Sequence, residues 1–302
     1  MRCCRRRDAK AGGLREAVSR AAAAAAQAVG AAGGGWAVVA VLRAVTGASL
    51  LAKCDEIPEA TDRVRHAELS GPVPQHVAVI MDGNRRFGRQ RYGDSLSGHK
   101  AGGEKLREFI HWCVDLGVEY LTVFAFSTEN WKRDAGEVSA MMNLFLSEVP
   151  RLGEHAMRHN VRVRFLTSDA GPLPEDVKTA IADLEERSSK CTGLLLNVCL
   201  SYGGRGDIIS ACRNLATQAS EGLLEVGSID EDLVKKHLLT GDIPDPDVLI
   251  RTSGERRLSN FLMFQLAYAE FFFLEKHWPE VAHEDLLSVV AQFQKRHRRF
   301  GK

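Results

Sequence analysis

Apolar positions concentrate in short strand-like runs, separated by longer stretches where they recur every three or four residues. From residue 71 onward the runs His76 to Met81, Tyr120 to Phe126, Val161 to Leu166, Leu194 to Leu200 and Val248 to Ile250 predict β-strands. Helical periodicity between and after them predicts helices over Lys100 to Leu116, Gly136 to Arg158, Glu175 to Lys190, Asp207 to Ser220, Ile229 to Leu239 and His283 to Arg298. Pro150 is expected to kink the second of these, because it offers the helix no amide hydrogen. Strands that run apolar without alternation are buried on both faces. With helices between them, the pattern predicts an α/β fold: a central parallel sheet surrounded by helices.

Residues 1 to 70 break this pattern, so the chain divides into a leader over 1–70 and a folded domain over 71–302. The leader opens on arginines, continues through the alanines 21 to 26 and the glycines 33 to 35, and then reads WAVVAVLRAVTGASLLA from Trp36. Its first fifty residues hold two acids, Asp8 and Glu16. An organellar transit peptide, a membrane-surface helix and a disordered tail all fit. Arg43 interrupts the apolar stretch and alanine adds little hydrophobic drive, which disfavours a membrane span. Targeting or surface association is the expectation.

Composition narrows the chemistry. The formal net charge is +1, which gives no support to a nucleic-acid partner, so any anion site must be local. Seven cysteines without a C-x-x-C pair argue against a disulfide framework or structural zinc and for a reducing compartment. Cys3 and Cys4 beside Arg5, Arg6 and Arg7 suggest acylation, but composition bias is the commoner source of such pairs.

Ligands of open parallel sheets bind beyond the carboxyl ends of the strands. After the first predicted strand stands Asp82-Gly83-Asn84-Arg85-Arg86-Phe87, a glycine turn with a carboxylate, an amide and two guanidinium groups. Backbone amides and arginines there can cradle a diphosphate, and Asp82 can hold magnesium against it. An Asp-Gly turn with solvated arginines fits these residues equally well. The second strand ends in Ser127-Thr128-Glu129-Asn130-Trp131-Lys132-Arg133, followed by Asp134-Ala135-Gly136, which reads as a hinge; the plain alternative is an approach loop whose Trp131 packs on the body. The fifth ends in Arg251 through Asn260, a second cationic and hydroxyl-rich loop. Two anion cradles imply two phosphorylated ligands.

Other marked residues have simpler readings. His99 opens a helix as a cap-region residue or a phosphate contact. Ser201 to Gly206 reads as a strand-to-helix turn, and no G-x-G-x-x-G or P-loop supports nucleotide binding. Asp230, Glu231 and Asp232 suit a helix start without any metal. Val138, Met141, Met142, Leu144, Phe145 and Val149 read as core rather than as a ligand tunnel.

Taken together, HVAVIMDGNRRF, GHKAG, FAFSTENWKR, HNVR, SYGGR, LIRTSGERRLSNF and QLAYAE resemble the cis-prenyltransferases, the family of undecaprenyl diphosphate synthase and dehydrodolichyl diphosphate synthase, from about Pro74 to Gly301. The resemblance implies a parallel sheet with an apolar product tunnel, usually in dimers. It implies extension of an allylic starter such as farnesyl diphosphate by isopentenyl diphosphate units, toward dolichol or a related polyprenol. In the matching positions Asp82 binds Mg2+ and helps move diphosphate, and Gly83, Asn84, Arg85, Arg86 and Phe87 with His99 hold the allylic diphosphate. Asn130, with Ser127 and Arg133 beside it, serves condensation and deprotonation, and Trp131 lines the same cleft. Arg251, Arg257 and Ser259 bind the diphosphate of isopentenyl diphosphate, and Glu270 is a second acid for the metal, reaching across a dimer. The trans-type synthases use D-D-x-x-D clusters, which this chain lacks.

Arg299-Phe300-Gly301 resembles the family's R-x-G ending, implied to complete a neighbouring subunit's phosphate site, so a homodimer is expected. Many members carry an arginine where this chain has Ser95; Arg89 or Arg91 is the expected substitute. No insertion stands between Glu137 and His159, which by family analogy implies a medium-to-long product. The eukaryote-like Asn84-Arg85-Arg86 and the basic leader point to the endoplasmic reticulum surface, with plastid or mitochondrion as alternatives. The rival reading is a non-catalytic regulatory subunit; such subunits typically lack the Asp-Gly-Asn segment retained here.

Overall fold

The computed structural model describes Leu69 and residues 71–296. The rest of the leader, Arg299 and Gly301 fall outside the described residues. Six strands form one sheet in the order β3-β4-β2-β1-β5-β6: β1 His76–Ile80, β2 Tyr120–Ser127, β3 Arg162–Leu166, β4 Leu195–Tyr202, β5 Val248–Arg251 and β6 Glu270–Phe273. Every neighbouring pair is parallel. Among the described residues seven α-helices accompany them: α1 Asn84–Tyr92, α2 Ser95–Leu116, α3 Ala135–Arg158, α4 Glu175–Ser188, α5 Gly204–Ser220, α6 Glu231–Lys236 and α7 His283–Lys295.

The strand sequences explain the layering. In β1, Val77 and Val79 pack with Phe109 and Ile110 of α2, Leu152 of α3 and Val290 of α7. Ala78 and Ile80, pointing the other way, pack with Tyr202, Leu249, Phe261 and Leu262. Both faces of the strand are thus dry, as an all-apolar run requires.

The five predicted strands are present. Two elements, α1 and β6, went unpredicted, and a third starts earlier than expected. The helix α1, Asn-Arg-Arg-Phe-Gly-Arg-Gln-Arg-Tyr, is strongly polar, with Phe87 and Tyr92 its only large apolar side chains, and α2 begins at Ser95, five residues before the predicted start. The strand β6, Glu-Phe-Phe-Phe, is four residues long, and only its pairing with β5 defines it. The helix α3 continues through Pro150, which lies inside it. In the segment read as a hinge, the Asp134 carboxylate caps α3 by accepting from the Glu137 amide at 3.1 Å, and Ala135 and Gly136 form the first turn.

Candidate active site

β2, β1 and β5 are adjacent, so the segments after residues 80, 127 and 251 meet at one edge of the sheet. They enclose a cleft of about 530 Å³ lined by Asp82, Gly83, Asn84, Arg85, Arg86, Arg89, His99, Ser127, Asn130, Arg133, Arg251, Arg257 and Ser259, among others. Six arginines and one carboxylate face the cleft in a chain whose net charge is +1. The basic charge is local, as an anion site requires.

The turn after β1 is held from three sides. Arg251 Nη2 donates to Asp82 Oδ2 at 2.9 Å, and the Gly83 amide donates to Asp82 Oδ1 at 2.7 Å. The Asp82 carbonyl accepts from Thr252 Oγ1 at 2.6 Å and from the Trp278 amide at 3.0 Å. Burial pushes the Asp82 carboxyl up, but the Arg251 and Gly83 hydrogen bonds and the charges of Arg251 and Arg86 outweigh it and hold the group below the usual carboxylate range. Position 83 must be glycine: φ is +100°, and a Cβ would stand 2.7 Å from His277 Nδ1 and 2.9 Å from Ser253 Oγ. The helix α1 starts at once, so Asn84, Arg85 and Arg86 bring its first-turn amides, which have no partners within the helix, to the cleft wall.

The basic groups are arranged in pairs. Arg85 lies 3.3 Å from Glu137, which also accepts from Arg133 at 3.1 Å. Arg86 lies 3.3 Å from Glu255, which also pairs with Arg257. Arg251 donates to Ser259 Oγ at 2.9 Å and to the Arg257 carbonyl. Ser259 and Asn260 have φ of +51° and +64°, strained for these residues. The loop is held by Arg251 and by Asn260 Nδ2, which donates to Glu129 at 2.8 Å.

Three buried atoms of the site lack partners: His99 Nε2, Asn84 Oδ1 and Arg251 Nε. Buried polar atoms are normally satisfied, so these suit a bound ligand or water. Burial, then the charge of Arg133, lowers the His99 imidazole to about 4, with Glu137 opposing. Asn130 Oδ1 accepts from the Ser127 amide at 3.1 Å, which fixes its carboxamide at the cleft.

Several expectations land elsewhere. Phe87 packs edge-on to Tyr92 and does not line the cleft. Trp131 packs edge-on to Phe126, and its indole donates to Ser201 Oγ at 2.8 Å, so it follows the plain reading of a side chain packed on the body. Glu270 pairs with Val248, three residues before Arg251, so it lies about 10 Å back along the sheet. Within this chain its partner is Arg296, at 2.6 Å. Arg89 lines the cleft, with its Nε donating to Ser95 Oγ at 3.0 Å, while Arg91 is absent from the lining.

An apolar cavity of about 150 Å³ adjoins the cleft and shares Met81, Asn84, His99, Ala125, Phe126 and Met141 with it. Met142, Leu144, Phe145 and Val149 line it as well, so five of the six residues read as core face this space, and Val138 packs by Phe126. The signal available in the sequence was that their stripe directly follows the cleft segment, with methionine at its start.

Residues 80–301 match the family described as "Putative undecaprenyl diphosphate synthase". The chain is 44% identical over 235 residues to the tritrans,polycis-undecaprenyl-diphosphate synthase (geranylgeranyl-diphosphate specific) of Thermococcus kodakarensis, covering 77% of this chain and 89% of that one. It is 42% identical over 232 residues to the isoprenyl transferase of Clostridium acetobutylicum, covering 76% and 90%. The structure of lavandulyl diphosphate synthase from Lavandula x intermedia, in complex with dimethylallyl diphosphate, is similar with a TM-score of 0.73 at 34% identity, covering 76% of this chain and 99% of that one. Likeness of that extent in sequence and fold together reaches well past a shared architecture, and the chain belongs to the cis-prenyltransferases, enzymes that build prenyl diphosphates.

Proposed function

We propose that the chain elongates an allylic diphosphate by successive condensations with isopentenyl diphosphate, making a polyprenyl diphosphate for dolichol or a related polyprenol. The observation that carries this is the placement of Asp82: a carboxylate among six arginines, at the mouth of an apolar cavity. Diphosphates suit the arginine-lined cleft, and a prenyl tail suits the cavity.

Among the described residues no cluster of three or more His, Cys, Asp or Glu could hold a metal alone. Magnesium needs only one or two protein carboxylates when substrate phosphates and water complete its shell, so Asp82 fits an Mg2+ that arrives with diphosphate. The ion, when bound, neutralises charge on the departing diphosphate. In this reading the α1 amides, Asn84, Arg85, Arg86 and His99 hold the allylic diphosphate, and Arg251, Arg257 and Ser259 hold that of isopentenyl diphosphate. Asn130 and Ser127, after β2, line the same cleft and orient the double bond that attacks. The carbon–oxygen bond breaks toward diphosphate as the carbon–carbon bond forms, and a proton is lost. Glu270 and the R-x-G ending would serve a neighbouring copy, in a homodimer.

The starter we propose is farnesyl diphosphate. The archaeal relative's name specifies geranylgeranyl diphosphate, so both belong in the assay. The reading of the leader as a surface-targeting segment for the endoplasmic reticulum is tested by imaging residues 1–70 fused to a fluorescent protein. Among the described residues no helix is long and apolar enough to cross a membrane.

The deciding experiment supplies purified protein, Mg2+, labelled isopentenyl diphosphate and either starter, with Asp82→Ala alongside. Magnesium-dependent polymer absent in the variant supports the reading. A single condensation product, or equal activity in the variant, would sink it.

A further inference from the structure

Arg107 on α2 and Glu148 on α3 bring charge to the wall of a largely apolar cavity, whose other polar lining residues, Asn84 and His99, are shared with the cleft. Arg107 Nη1 donates to Glu148 Oε2 at 2.7 Å and ties the two helices together. Their side chains keep 20% and 16% of their surface in solvent, so the same groups face the cavity on one side and water on the other. At this place the wall is one side chain thick. Arg151, 57% exposed, supports Glu148 through its other oxygen at 3.3 Å. Gly103 leaves the space beside α2 to Glu148: the nearest atoms to a Cβ there, from 3.3 Å outward, all belong to that residue.

The position of the pair matters because of length and volume. His99, Gly102, Gly103, Leu106 and Arg107 form one stripe of α2 along the cavity. Eight residues of helix separate the cleft end at His99 from Arg107, which is about 12 Å. The cavity volume of about 150 Å³ is of the size that encloses one benzene-sized group. Every condensation adds five carbons, so a chain of several units outgrows this space and must pass its wall. Apolar walls yield by side-chain rotation. An ion pair in a low-dielectric wall resists, because parting it strands two charges beside hydrocarbon.

We propose that the Arg107–Glu148 pair is a gate between α2 and α3, which the growing prenyl chain must part to continue, and that its strength sets how many units are added before release. The proposal rests on the cavity being the site of the prenyl tail.

The test resolves products by length, from farnesyl diphosphate and labelled isopentenyl diphosphate, for the wild type, Glu148→Ala, Arg107→Ala and the swapped double variant Arg107→Glu with Glu148→Arg. Thermal unfolding verifies that each is folded, and Glu148→Gln, which keeps the shape and loses the charge, replaces Glu148→Ala if that variant does not fold. The single variants are expected to move the most abundant product upward by at least one isoprene unit, and the swapped double to return it toward the wild type. Unchanged or shorter products from folded single variants overturn the gate and leave the function standing. A wild-type enzyme that stops after one condensation overturns both.

Discussion

Arg251 and Asp82 stand 169 residues apart in sequence, yet their side chains meet at 2.9 Å where β5 and β1 end. The guanidinium is 3% exposed, so the carboxylate is its counter-ion in a nearly dry place. Asp82→Ala should therefore cost twice. Turnover falls by about 10²–10³, the scale of losing one preorganised electrostatic contact. Stability falls by about 1.5–3 kcal/mol, that of a hydrogen bond to a charged group. Asp82→Asn keeps an acceptor, so it should lose less stability and as much turnover. Steady-state rates with thermal unfolding check this, and an asparagine variant with over a tenth of wild-type activity would show that the charge is dispensable.

His99 should respond to its ligand. Free, it stays neutral until the pH nears 4, since burial and Arg133 oppose the imidazolium. A diphosphate beside it favours the charged form and raises that value. Binding of inorganic diphosphate should then tighten as pH falls from 7 toward 5, and more in the wild type than in His99→Gln. Imidazole NMR titrations with and without diphosphate decide it; an unmoved His99 signal would remove it from the binding site.

His76 governs a stability window instead. Its Nδ1 lies 2.7 Å from the Pro244 carbonyl, which can only accept, so Nδ1 carries the proton and Nε2 accepts from Thr122 Oγ1 at 2.8 Å. Burial lowers it to about 4 from an unfolded value near 6.5. The unfolded chain therefore binds the extra proton first on acidification. The contribution is full above pH 6.5 and is lost as pH falls toward 4, by roughly 3 kcal/mol in total. Urea unfolding at pH 7.5 and 4.5 should show this difference in the wild type and a smaller one in His76→Gln.

Arg89, held by Ser95, faces the cleft, whereas Arg91 does not line it. Arg89→Ala should raise the KM of the allylic substrate by about 10–100-fold, the worth of a charge-assisted hydrogen bond. Ser95→Ala should give a smaller rise and Arg91→Ala none. Equal effects at 89 and 91 would mean that general basicity, not contact, sets affinity.

Strands β1 and β5 were legible in the sequence because each is a mostly apolar run buried along its whole length, as a strand covered on both faces requires. The candidate chemistry was legible too, since the Asp82, Ser127 and Arg251 segments each follow a strand directly. Adjacency was not. That these three segments meet follows from the order β2-β1-β5, set by long-range pairing that no local pattern encodes. The helix α1 was hidden because it is so polar, and close backbone contact holds it on α2: a Cβ at Gly98 would stand 2.0 Å from the Asn84 carbonyl. The stripe from Met141 to Val149 has one periodicity whether it faces core or cavity, because both are apolar. Which of the two it faces is decided by how far α2 and α3 stand apart, and that is a property of the packed molecule alone.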